Sequence, residues 1–433
     1  MRKSRSTTLG VGLLVGALFL SACGGDAGAP GEDASPAGNA SGEIRFSSAL
    51  AGMDKVAEAF NESQDSITVT FEEAANTANG GNALLTTAIE AGNAPDVAMV
   101  EYASLPQFVT SGNVIPLDEV LPAEMVDGIE PSIKDLVTLG DQTWAAPYDT
   151  PPMVAWYRAD MLEAAGVEVP TSWEEFEAAG LAVQEKFPGV ALASFNPNEA
   201  PMLAGQAWAN GAQWFAAEED TWKVGVTDAA SLEVADRYQG LIDQGILKVV
   251  NAFSDEWTAD ITNSKVAGLF GGSWSATGIR ARAEGQEGNW VAAQLPSEGG
   301  SLLGGSSFVI PKSSKNAAAA AKFIEYAATN PAAVGARGDT GSAYFADPDL
   351  TAAAKEAYDA TFFGNDIYEV FDAAAATINS GWQWGPNYEI TNTALKDAFS
   401  KVAPDGPSVA DAFETAQAAT VEGLEQSGLS VTE

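Results

Sequence analysis

The amino-acid sequence predicts an α/β fold in which helices cross over the faces of β-sheets. From residue 42 onward, short runs rich in β-branched and aromatic residues alternate with segments whose apolar residues recur at helical spacing. Strands that alternate with helices in this way are typical of βαβ units. The chain has 433 residues, of which 46% are hydrophobic, so it is long enough for two or three domains.

The alternation of strands and helices begins with the first segments after residue 42. Val56, Ala59 and Phe60 recur at helical spacing, and the segments on either side are rich in β-forming residues. We therefore predict strand, helix, strand, helix and strand, in that order, over Glu43–Leu50, Met53–Asn61, Ser66–Ala74, Asn82–Ala91 and Pro95–Val100.

The middle of the chain continues the pattern and marks its helix boundaries. A strand at Met153–Tyr157 leads into a helix at Arg158–Ala165, which Gly166 closes. Ser172 and Glu175 have the spacing of a capping box and predict the start of the next helix. Further strands are predicted at Val190–Phe195, Val266–Gly271, Trp290–Leu295 and Ser306–Pro311.

Beyond residue 315 the sequence is rich in alanine and predicts helices almost throughout. Helix starts are expected near Ser314, Asn330 and Ser408, because such side chains accept hydrogen bonds from a first helical turn. No fixed repeat period is visible, so the sequence does not predict a solenoid.

Composition excludes several classes of chemistry. The sequence contains no histidine and one cysteine, Cys23, so Ser-His-Asp catalysis, His-ligated zinc and internal disulfides are excluded. Carboxylates, with lysine and tyrosine, remain as sources of acid–base chemistry. The segment 271–274 lacks the lysine of a phosphate-binding loop, and no Asp-x-Asp-x-Asp-Gly calcium loop occurs. We therefore expect no cofactor and no metal.

The chain is strongly acidic. It carries 59 Asp and Glu against 21 Lys and Arg, for a formal net charge of −38 at pH 7. A negative field repels polyanions, so nucleic acid is not an expected partner. We interpret the acidity as a source of solubility or as an adaptation to a salty habitat.

The N-terminus has the pattern of a secretory signal. Arg2, Lys3 and Arg5 precede the uncharged apolar run Leu9–Leu20, which is shorter than the roughly 20 residues that span a bilayer. Cys23 follows Leu-Ser-Ala and is similar to the lipidated cysteine of bacterial lipoproteins, although an ordinary signal with an accidental cysteine is the alternative. We expect a signal peptide at 1–22, and a lipidated Cys23 with a disordered tether over 23–41.

Five later segments carry recognisable local patterns: Asn93–Val97, Val109–Asp118, Trp156–Leu162, Pro170–Phe176 and Val266–Trp274. In this order they resemble the extracellular solute-binding proteins of sugar ABC importers, the maltose-binding protein family. Each pattern is weak alone, and together they extend the resemblance over roughly residues 42–430.

The resemblance implies a two-lobe, type II periplasmic-binding-protein-like fold. Mixed sheets would be flanked by helices, with a hinge between the lobes and a helical C-terminus. The expected N-terminal lobe is 42–149 plus 304–363, and the expected C-terminal lobe is 150–303 plus 364–433. The expected crossings lie at Thr150–Pro152, Gly299–Gly305 and Phe362–Asp366.

The resemblance also implies a function without catalysis. The protein would be a lipid-anchored monomer on the outer face of the cell membrane. It would capture a carbohydrate, an oligosaccharide or a glycoside, and deliver it to an ABC permease. The alternatives are a binding protein for a glycerophosphodiester or other polyol, a surface glycosidase with two carboxylates about 5–10 Å apart, and a structural surface lipoprotein.

Aromatic side chains are the first candidates for a sugar site, because a sugar ring presents an apolar C–H face. Trp274 follows Gly-Gly-Ser at the end of a predicted strand and resembles the cleft tryptophan of the family. Trp382 and Trp384 lie on a loop bounded by Gly and Pro, and we expect at least one of them in the cleft. Trp208 and Trp214 are interpreted as core residues.

Polar candidates follow the predicted strands, where the family places contacts to sugar hydroxyls. They are Ser47, Ser48, Glu73, Asn76, Glu101, Tyr102, Asn198 and Glu199, together with Asp149, which lies beside the prolines of the expected hinge. Arg337 is a rare cation, for which we expect an ion pair with Asp339 or a helix end in preference to a ligand contact.

Overall fold

Two groups of β-strands, each with helices packed on it, organise this chain into two lobes. The structure is a computed structural model. It describes residues 40–77, 80–218, 220–338, 343–359 and 361–433. The expected signal, Cys23, nearly all of the expected tether, and Asp339 lie outside these residues. Within the described part of the chain, no helix is both long and apolar enough to cross a bilayer.

The strands are short and are distributed along the whole described chain. They are β1 Gly42–Ser48, β2 Ile67–Glu73, β3 Val97–Glu101, β4 Thr138–Leu139, β5 Gln142–Thr143, β6 Ala146–Asp149, β7 Met153–Arg158, β8 Ala193–Phe195, β9 Phe215–Glu218, β10 Thr221–Val224, β11 Leu247–Val249, β12 Gly268–Gly272, β13 Trp290–Ala293, β14 Ser306–Val309 and β15 Ser430–Thr432.

Helices separate most of these strands and dominate the C-terminal third. They are α1 Met53–Ser63, α2 Gly81–Glu90, α3 Leu105–Thr110, α4 Ala123–Asp127, α5 Pro131–Val137, α6 Ala159–Ala165, α7 Trp173–Lys186, α8 Ala200–Ala209, α9 Ala229–Asp243, α10 Asp255–Thr262, α11 Ser275–Arg282, α12 Ala317–Thr329, α13 Pro331–Arg337, α14 Pro348–Ala357, α15 Ile367–Ala375, α16 Tyr388–Phe399 and α17 Val409–Gln426.

The first lobe contains a five-stranded sheet in the order β2-β1-β3-β14-β6. β1 pairs in parallel with both β2 and β3, whereas β14 is antiparallel to β3 and to β6. β6 therefore runs in the same direction as β1, β2 and β3. The last residues of these four strands, Ser48, Glu73, Glu101 and Asp149, consequently lie along one edge of the sheet.

An aromatic cluster fills the first lobe between this sheet and its helices. Phe46 on β1 contacts Phe323 on α12, with their ring centroids 4.8 Å apart. Phe60 on α1 meets the same ring edge-on at 5.4 Å. Phe46 and Phe323 are fully buried, as the alternating burial of β1 requires of its inward-facing residues.

The second lobe is built on antiparallel strands β12-β7-β13 and on the parallel pair β11-β8. A parallel bridge from Ala191 to Val266 connects the two groups. β8, β11 and the segment that leads into β12 therefore run in one direction. Their following loops, which carry Glu199, Phe253 and Trp274, leave the same edge of this lobe.

Stacked tryptophans form the core of the second lobe beneath its C-terminal helices. Trp208 on α8 and Trp382 stack at 5.2 Å with an interplanar angle of 9°. The Trp214 ring also packs against Trp382, with the ring centroids 5.6 Å apart. The core positions expected for Trp208 and Trp214 agree with this packing, since both are fully buried.

Antiparallel backbone contacts tie the segments that run between the two lobes. Pro152 and Leu302 form a bridge, and the Met153 amide donates to the Ser301 carbonyl at 2.9 Å. Nearby, Gly305 has a φ of 101°, and a Cβ there would lie 2.6 Å from the Tyr102 ring. Only glycine therefore lets this segment approach the first lobe so closely.

The predicted elements correspond to observed ones, with boundaries that differ by a few residues. Asn330 caps α13 by accepting from the Ala332 amide, as expected of a helix start there. Ser408 caps α17 in a capping box with Asp411, which also agrees with the prediction.

Three local expectations differ in detail from the structure. The helix expected near Ser314 begins at Ala317, and the Ser314 hydroxyl accepts from the Asn316 amide at 3.2 Å while it donates to Asp96 at 2.7 Å. Ser172 does cap α7, but the Glu175 carboxylate binds Thr171 rather than completing the box. The C-terminal part is helical as expected, from α12 to α17, and it ends in the three-residue strand β15, which pairs in parallel with β10.

Candidate functional site

Carboxylates from both lobes converge where the two strand edges face each other. Glu101 ends β3 in the first lobe, and Glu389 lies in the first turn of α16 in the second. Burial raises the pKa of Glu101, a hydrogen bond from Thr77 lowers it, and the charges of Asp149 and Glu389 raise it further. These groups are thus close enough for their charges to interact.

Glu199 enters the same cleft from the loop after β8. Burial raises the pKa of Glu199, the Lys396 ammonium lowers it, and the charge of Glu101 raises it again. Glu101 ends a strand of the first lobe, and Glu199 follows a strand of the second lobe. Their charges therefore interact between the two lobes.

Asp149 ends β6 at the point where the chain leaves the first lobe. Its Oδ1 accepts from the Ser306 amide at 2.6 Å, and its backbone carbonyl accepts from the Tyr102 hydroxyl at 3.1 Å. Burial raises the pKa of Asp149, and the Arg337 guanidinium and the Ser306 bond oppose that rise. The carboxylate is held in a fixed position between β6 and β14.

Tyr388 is the most informative side chain in this cleft. It is only 6% exposed, yet its hydroxyl has no hydrogen-bond partner among the described residues. Burial raises its pKa, and the charges of Glu389, Glu101 and Glu199 raise it further, so the hydroxyl stays protonated. An unpaired buried hydroxyl costs free energy unless a ligand pairs with it.

Two tryptophans border the polar cluster. The Trp384 ring contacts the Tyr388 ring with centroids 4.5 Å apart and is half-buried. Trp274 is 40% exposed, and its Nε1 donates to the Leu303 carbonyl at 3.0 Å. A Cβ on Gly272 would lie 2.4 Å from that Nε1, so the glycine makes room for the indole. Both rings can offer a flat apolar surface.

Three predicted contact residues are corrected, because the structure buries them in the protein. Trp382 is 2% exposed and packs between Trp208 and Trp214. Tyr102 is buried beneath the segment that joins the lobes. Ser48 is also buried, where its hydroxyl accepts from the Leu50 amide and donates to the Met99 sulfur. Their side chains serve packing and local backbone geometry.

The remaining predicted residues lie near the ends of the strands and differ in exposure. Ser47 is half-buried on β1, Glu73 is exposed at the end of β2, and Asn76 is exposed in the loop that follows. The Asn198 carboxamide binds the Ala252 backbone in both directions, at 3.1 and 2.8 Å. Asn198 therefore positions a neighbouring loop.

Sequence reasoning missed Thr77, Tyr388, Glu389 and Lys396. The last three lie on α16, which begins two residues after Gly385-Pro386 and so directly after the tryptophan loop. The sequence signal that could have identified these three residues is the start of a helix directly after an aromatic loop.

Arg337 has a structural role in the first lobe. Its Nε donates to the Ala51 carbonyl at 3.1 Å, and its guanidinium lies 5.6 Å from the centre of the Tyr148 ring. The expected partner Asp339 lies outside the described residues. Arg337 therefore links Ala51 to Tyr148 in the first lobe, close enough to Asp149 for their charges to interact.

A separate hollow of about 850 Å³ lies between α4–α5 and α14–α15. It is lined in part by Met125, Ile133 and Ile378, and within it the Tyr344 hydroxyl donates to Asp372 at 3.0 Å. None of the converging carboxylates lines this hollow. The chemistry therefore places the candidate site at Glu101, Glu199 and Tyr388.

The described residues of the cleft can accept hydrogen bonds from several hydroxyl groups and stack against an apolar ring face. Across the described ranges, no group of three or more acidic or cysteine side chains is arranged to hold a metal ion. The site is thus suited to a polyhydroxylated organic molecule.

Comparison with known proteins gives a family match and several relatives. The family of bacterial extracellular solute-binding proteins matches residues 55–360. A lactose-binding protein of Rhizobium radiobacter is 25% identical over 243 residues, which are 53% of this chain and 56% of that protein. An osmoprotective compounds-binding protein of Synechocystis is 31% identical over 93 residues, or 21% of this chain and 22% of that protein. The chain thus aligns with little more than half of the first relative and under a quarter of the second.

Solved structures share the fold over nearly the whole chain. The galacto-N-biose/lacto-N-biose I-binding protein of Bifidobacterium longum has a TM-score of 0.79 and 24% identity, covering 91% of this chain and 99% of that one. The sugar-binding protein MalE of Xanthomonas citri has a TM-score of 0.75 and 21% identity, covering 89% and 98%. These likenesses confirm the predicted two-lobe fold.

Proposed function

The chain belongs to the bacterial extracellular solute-binding protein family, and from this premise we propose that it captures a carbohydrate for an ABC importer. It would bind the sugar outside the cytoplasm and deliver it to the permease without catalysing a reaction. The observation that carries the proposal is the unpaired, buried Tyr388 hydroxyl among carboxylates of both lobes. Sugar hydroxyls would pair with these groups and give up their water in exchange.

The charge of the cleft favours a neutral polyol over an anion. The charges of Asp149, Glu199 and Glu389 act on or with Glu101, and the Lys396 ammonium acts on Glu199. A phosphodiester would meet repulsion here, so the glycerophosphodiester alternative is disfavoured. Relatives include a lactose-binding protein and a lacto-N-biose I-binding protein, which supports an oligosaccharide ligand.

The lobes would close on the ligand by a hinge motion. We propose that one lobe comprises residues 42–149 plus 304–363 and the other comprises residues 150–303 plus 364–433. The ligand would drive closure because Glu101 in one lobe and Glu199 with Tyr388 in the other contact it together only when the cleft is closed.

A sugar panel tests the proposal. Thermal unfolding and calorimetric titration with mono-, di- and trisaccharides should identify at least one ligand, and a ligand at 100 times its Kd adds about 2.7 kcal/mol of stability. Tyr388→Phe should weaken that ligand about 2- to 12-fold through loss of one hydrogen bond. Tyr238→Phe is the matched control, because Tyr238 also has a buried unpaired hydroxyl but lies in the core.

Two results would contradict the sugar site. Equal effects of Tyr388→Phe and Tyr238→Phe on affinity would show that Tyr388 does not contact the ligand. Turnover of chromogenic glycosides by the purified protein would favour the glycosidase alternative.

We further propose that the protein is a monomer anchored to the outer face of the cell membrane through lipidated Cys23. The support is the charged start, the apolar run and the Leu-Ser-Ala-Cys pattern. Cys23→Ser should release the protein into the medium or block its processing, as fractionation and immunoblotting would show. A processed serine variant that stays on the membrane would contradict the anchor.

A further inference from the structure

The hollow between α4–α5 and α14–α15 has walls from both lobes. α4 and α5 lie between β3 and β6 of the first lobe. α15 packs on the second lobe, where Phe371 contacts Trp156 of β7 with ring centroids 6.0 Å apart. At about 850 Å³ the hollow is as large as pockets that hold small organic molecules. None of the cleft carboxylates is among its described lining residues, so it is a separate place for a ligand.

Tyr344 connects the two walls of the hollow. Its neighbour Phe345 packs on Tyr148 of β6, with ring centroids 5.2 Å apart. Its hydroxyl donates to Asp372 on α15 at 3.0 Å, and its ring meets Phe371 edge-on at 6.3 Å. Because the half-buried Tyr344 ring lines the hollow, part of its surface is open to a molecule inside.

Two carboxylates from opposite walls act on the Tyr344 hydroxyl. Burial raises the pKa of Tyr344, and Asp372 and then the charge of Glu130 raise it further. The hydroxyl donates its single proton to Asp372, so it is not a donor to Glu130. Across the described ranges, no Lys or Arg forms an ion pair with Glu130 or Asp372. Two negative charges therefore lie near one hydroxyl without a basic side chain to neutralise them.

Other charged residues of the lining have partners elsewhere. Lys355, the basic residue of the described lining, pairs with Asp366 at 3.1 Å. Glu325 pairs with Lys322 at 2.9 Å, and Asp347 caps α14. The charge that a ligand meets in the hollow is therefore negative, and it would attract a cation.

Apolar side chains line the hollow beside these carboxylates. Met125, Ile129 and Ile378 are half-buried, so each has surface that a ligand could cover. An ammonium group is attracted both to carboxylates and to the face of an aromatic ring such as that of Tyr344. Charge and surface together fit a cation that carries an apolar body.

We propose that this hollow is a second ligand site, which takes an organic ammonium ion with an apolar body. The ammonium group lies between Glu130 and Asp372 against the Tyr344 ring, and the body covers Met125 and Ile378. The inference goes beyond the proposed function and does not depend on it. Because the two carboxylates belong to different lobes, the bound cation links the lobes.

Three probes of similar shape test the chemistry of the site. Phenethylammonium is titrated calorimetrically into the purified protein, with 2-phenylethanol as the neutral control and 3-phenylpropionate as the anionic control. The ammonium ion should saturate one site, the alcohol should bind about tenfold or more weakly, and the anion should not bind, because only the ammonium ion is attracted to the carboxylates. Equal affinities for the three probes would overturn the proposal.

Charge-removing variants test the location of the site. Glu130→Gln and Asp372→Asn each remove one charge and keep a side chain of similar shape, so each should weaken phenethylammonium binding about 3- to 10-fold. Glu369→Gln is the matched control, because Glu369 is exposed on the same helix as Asp372 but is not among the described lining residues. It should leave the affinity within about twofold of the wild type. Thermal unfolding shows which variants are folded, and Glu130→Gln alone decides if Asp372→Asn is not.

Two results with the variants would overturn the proposal. Equal weakening by Glu369→Gln would show only the general attraction of cations to an acidic protein. Binding that persists in Glu130→Gln and Asp372→Asn but is lost in Glu101→Gln would assign the cation to the cleft. Both results leave the proposed function standing, because it is tested separately with sugars.

Discussion

At the scale of single residues, burial separates two tryptophans that are two positions apart. Trp382 and Trp384 share a loop and residue type, so local sequence predicts the same role for both. The structure places Trp382 in a stack with Trp208, which comes from a helix 174 residues earlier, and leaves Trp384 half-buried beside Tyr388. A contact of such sequence separation cannot be read from the loop itself.

This difference gives the first prediction. Trp384→Ala should weaken sugar binding by about 1.5–3 kcal/mol, because it removes a ring face from the cleft. Trp382→Ala should instead cost about 3–5 kcal/mol of apo stability, because it leaves a cavity in the core. Denaturant unfolding and calorimetric titration on both variants would check this. Similar profiles for the two variants would contradict it.

The second prediction concerns the pH dependence of stability. The folded state raises the pKa of Asp149, so its protonated form contributes stability that is present below about pH 4 and is lost as pH rises through the raised pKa. Asp149→Asn keeps an acceptor for the Ser306 amide and removes the buried charge. It should stabilise the apo protein at pH 7, with a difference that shrinks as pH falls.

Asp411 provides the control of opposite sign. The Ser408 amide and hydroxyl lower the pKa of Asp411, so its contribution is present above the unfolded pKa and is lost as pH falls through the lower folded pKa. Asp411→Asn should destabilise the protein at pH 7 and have little effect at low pH. Urea midpoints at several pH values would measure both variants. Parallel pH profiles for the two variants would refute the assignment.

At the scale of elements, the strands and helices near the cleft were predictable because their signals are local. Alternating apolar residues identify β1, and the side chains of Asn330 and Ser408 identify two helix starts. The helix expected near Ser314 begins at Ala317, and the Ser314 hydroxyl also donates to Asp96, which is 218 residues away. Local patterns locate such a helix start to within a few residues, but they cannot reveal a tertiary partner like Asp96.

The third prediction uses two adjacent glycines of the segment between the lobes. Gly305→Ala should destabilise the protein by about 2–4 kcal/mol, because a positive φ is combined with a clash against Tyr102. Gly304→Ala shares the positive φ, but its Cβ would have no atom nearer than 4.0 Å. It should cost about 1 kcal/mol. Thermal unfolding would rank the two, and equal losses would mean that contact with Tyr102 is unimportant.

At the scale of the whole molecule, the order of motifs predicted the two-lobe fold, although each motif is weak alone. The sequence does not show which residues of the two lobes face each other, because Glu101 interacts with residues as distant along the chain as Glu389. Among the predicted cleft carboxylates, Glu101, Asp149 and Glu199 do come together. Glu389 and Tyr388 were missed because they lie on a helix rather than after a strand.

The fourth prediction concerns closure. Small-angle X-ray scattering on the protein with a saturating cognate sugar should give a smaller radius of gyration than the protein alone, because the lobes rotate about the hinge. The same measurement with a sugar that does not bind is the control. An unchanged radius with the cognate sugar would argue against hinge closure and leave binding unaffected.

The opposed carboxylates also make the cleft sensitive to its ionic atmosphere. Glu101 and Glu199 belong to different lobes and carry the same charge, so their repulsion favours separation of the lobes when no ligand lies between them. Dissolved salt screens such repulsion over a Debye length of about 8 Å at physiological strength. Because both carboxylates are largely buried, this screening is incomplete, and an uncharged sugar should bind only modestly more tightly in brine than in dilute buffer.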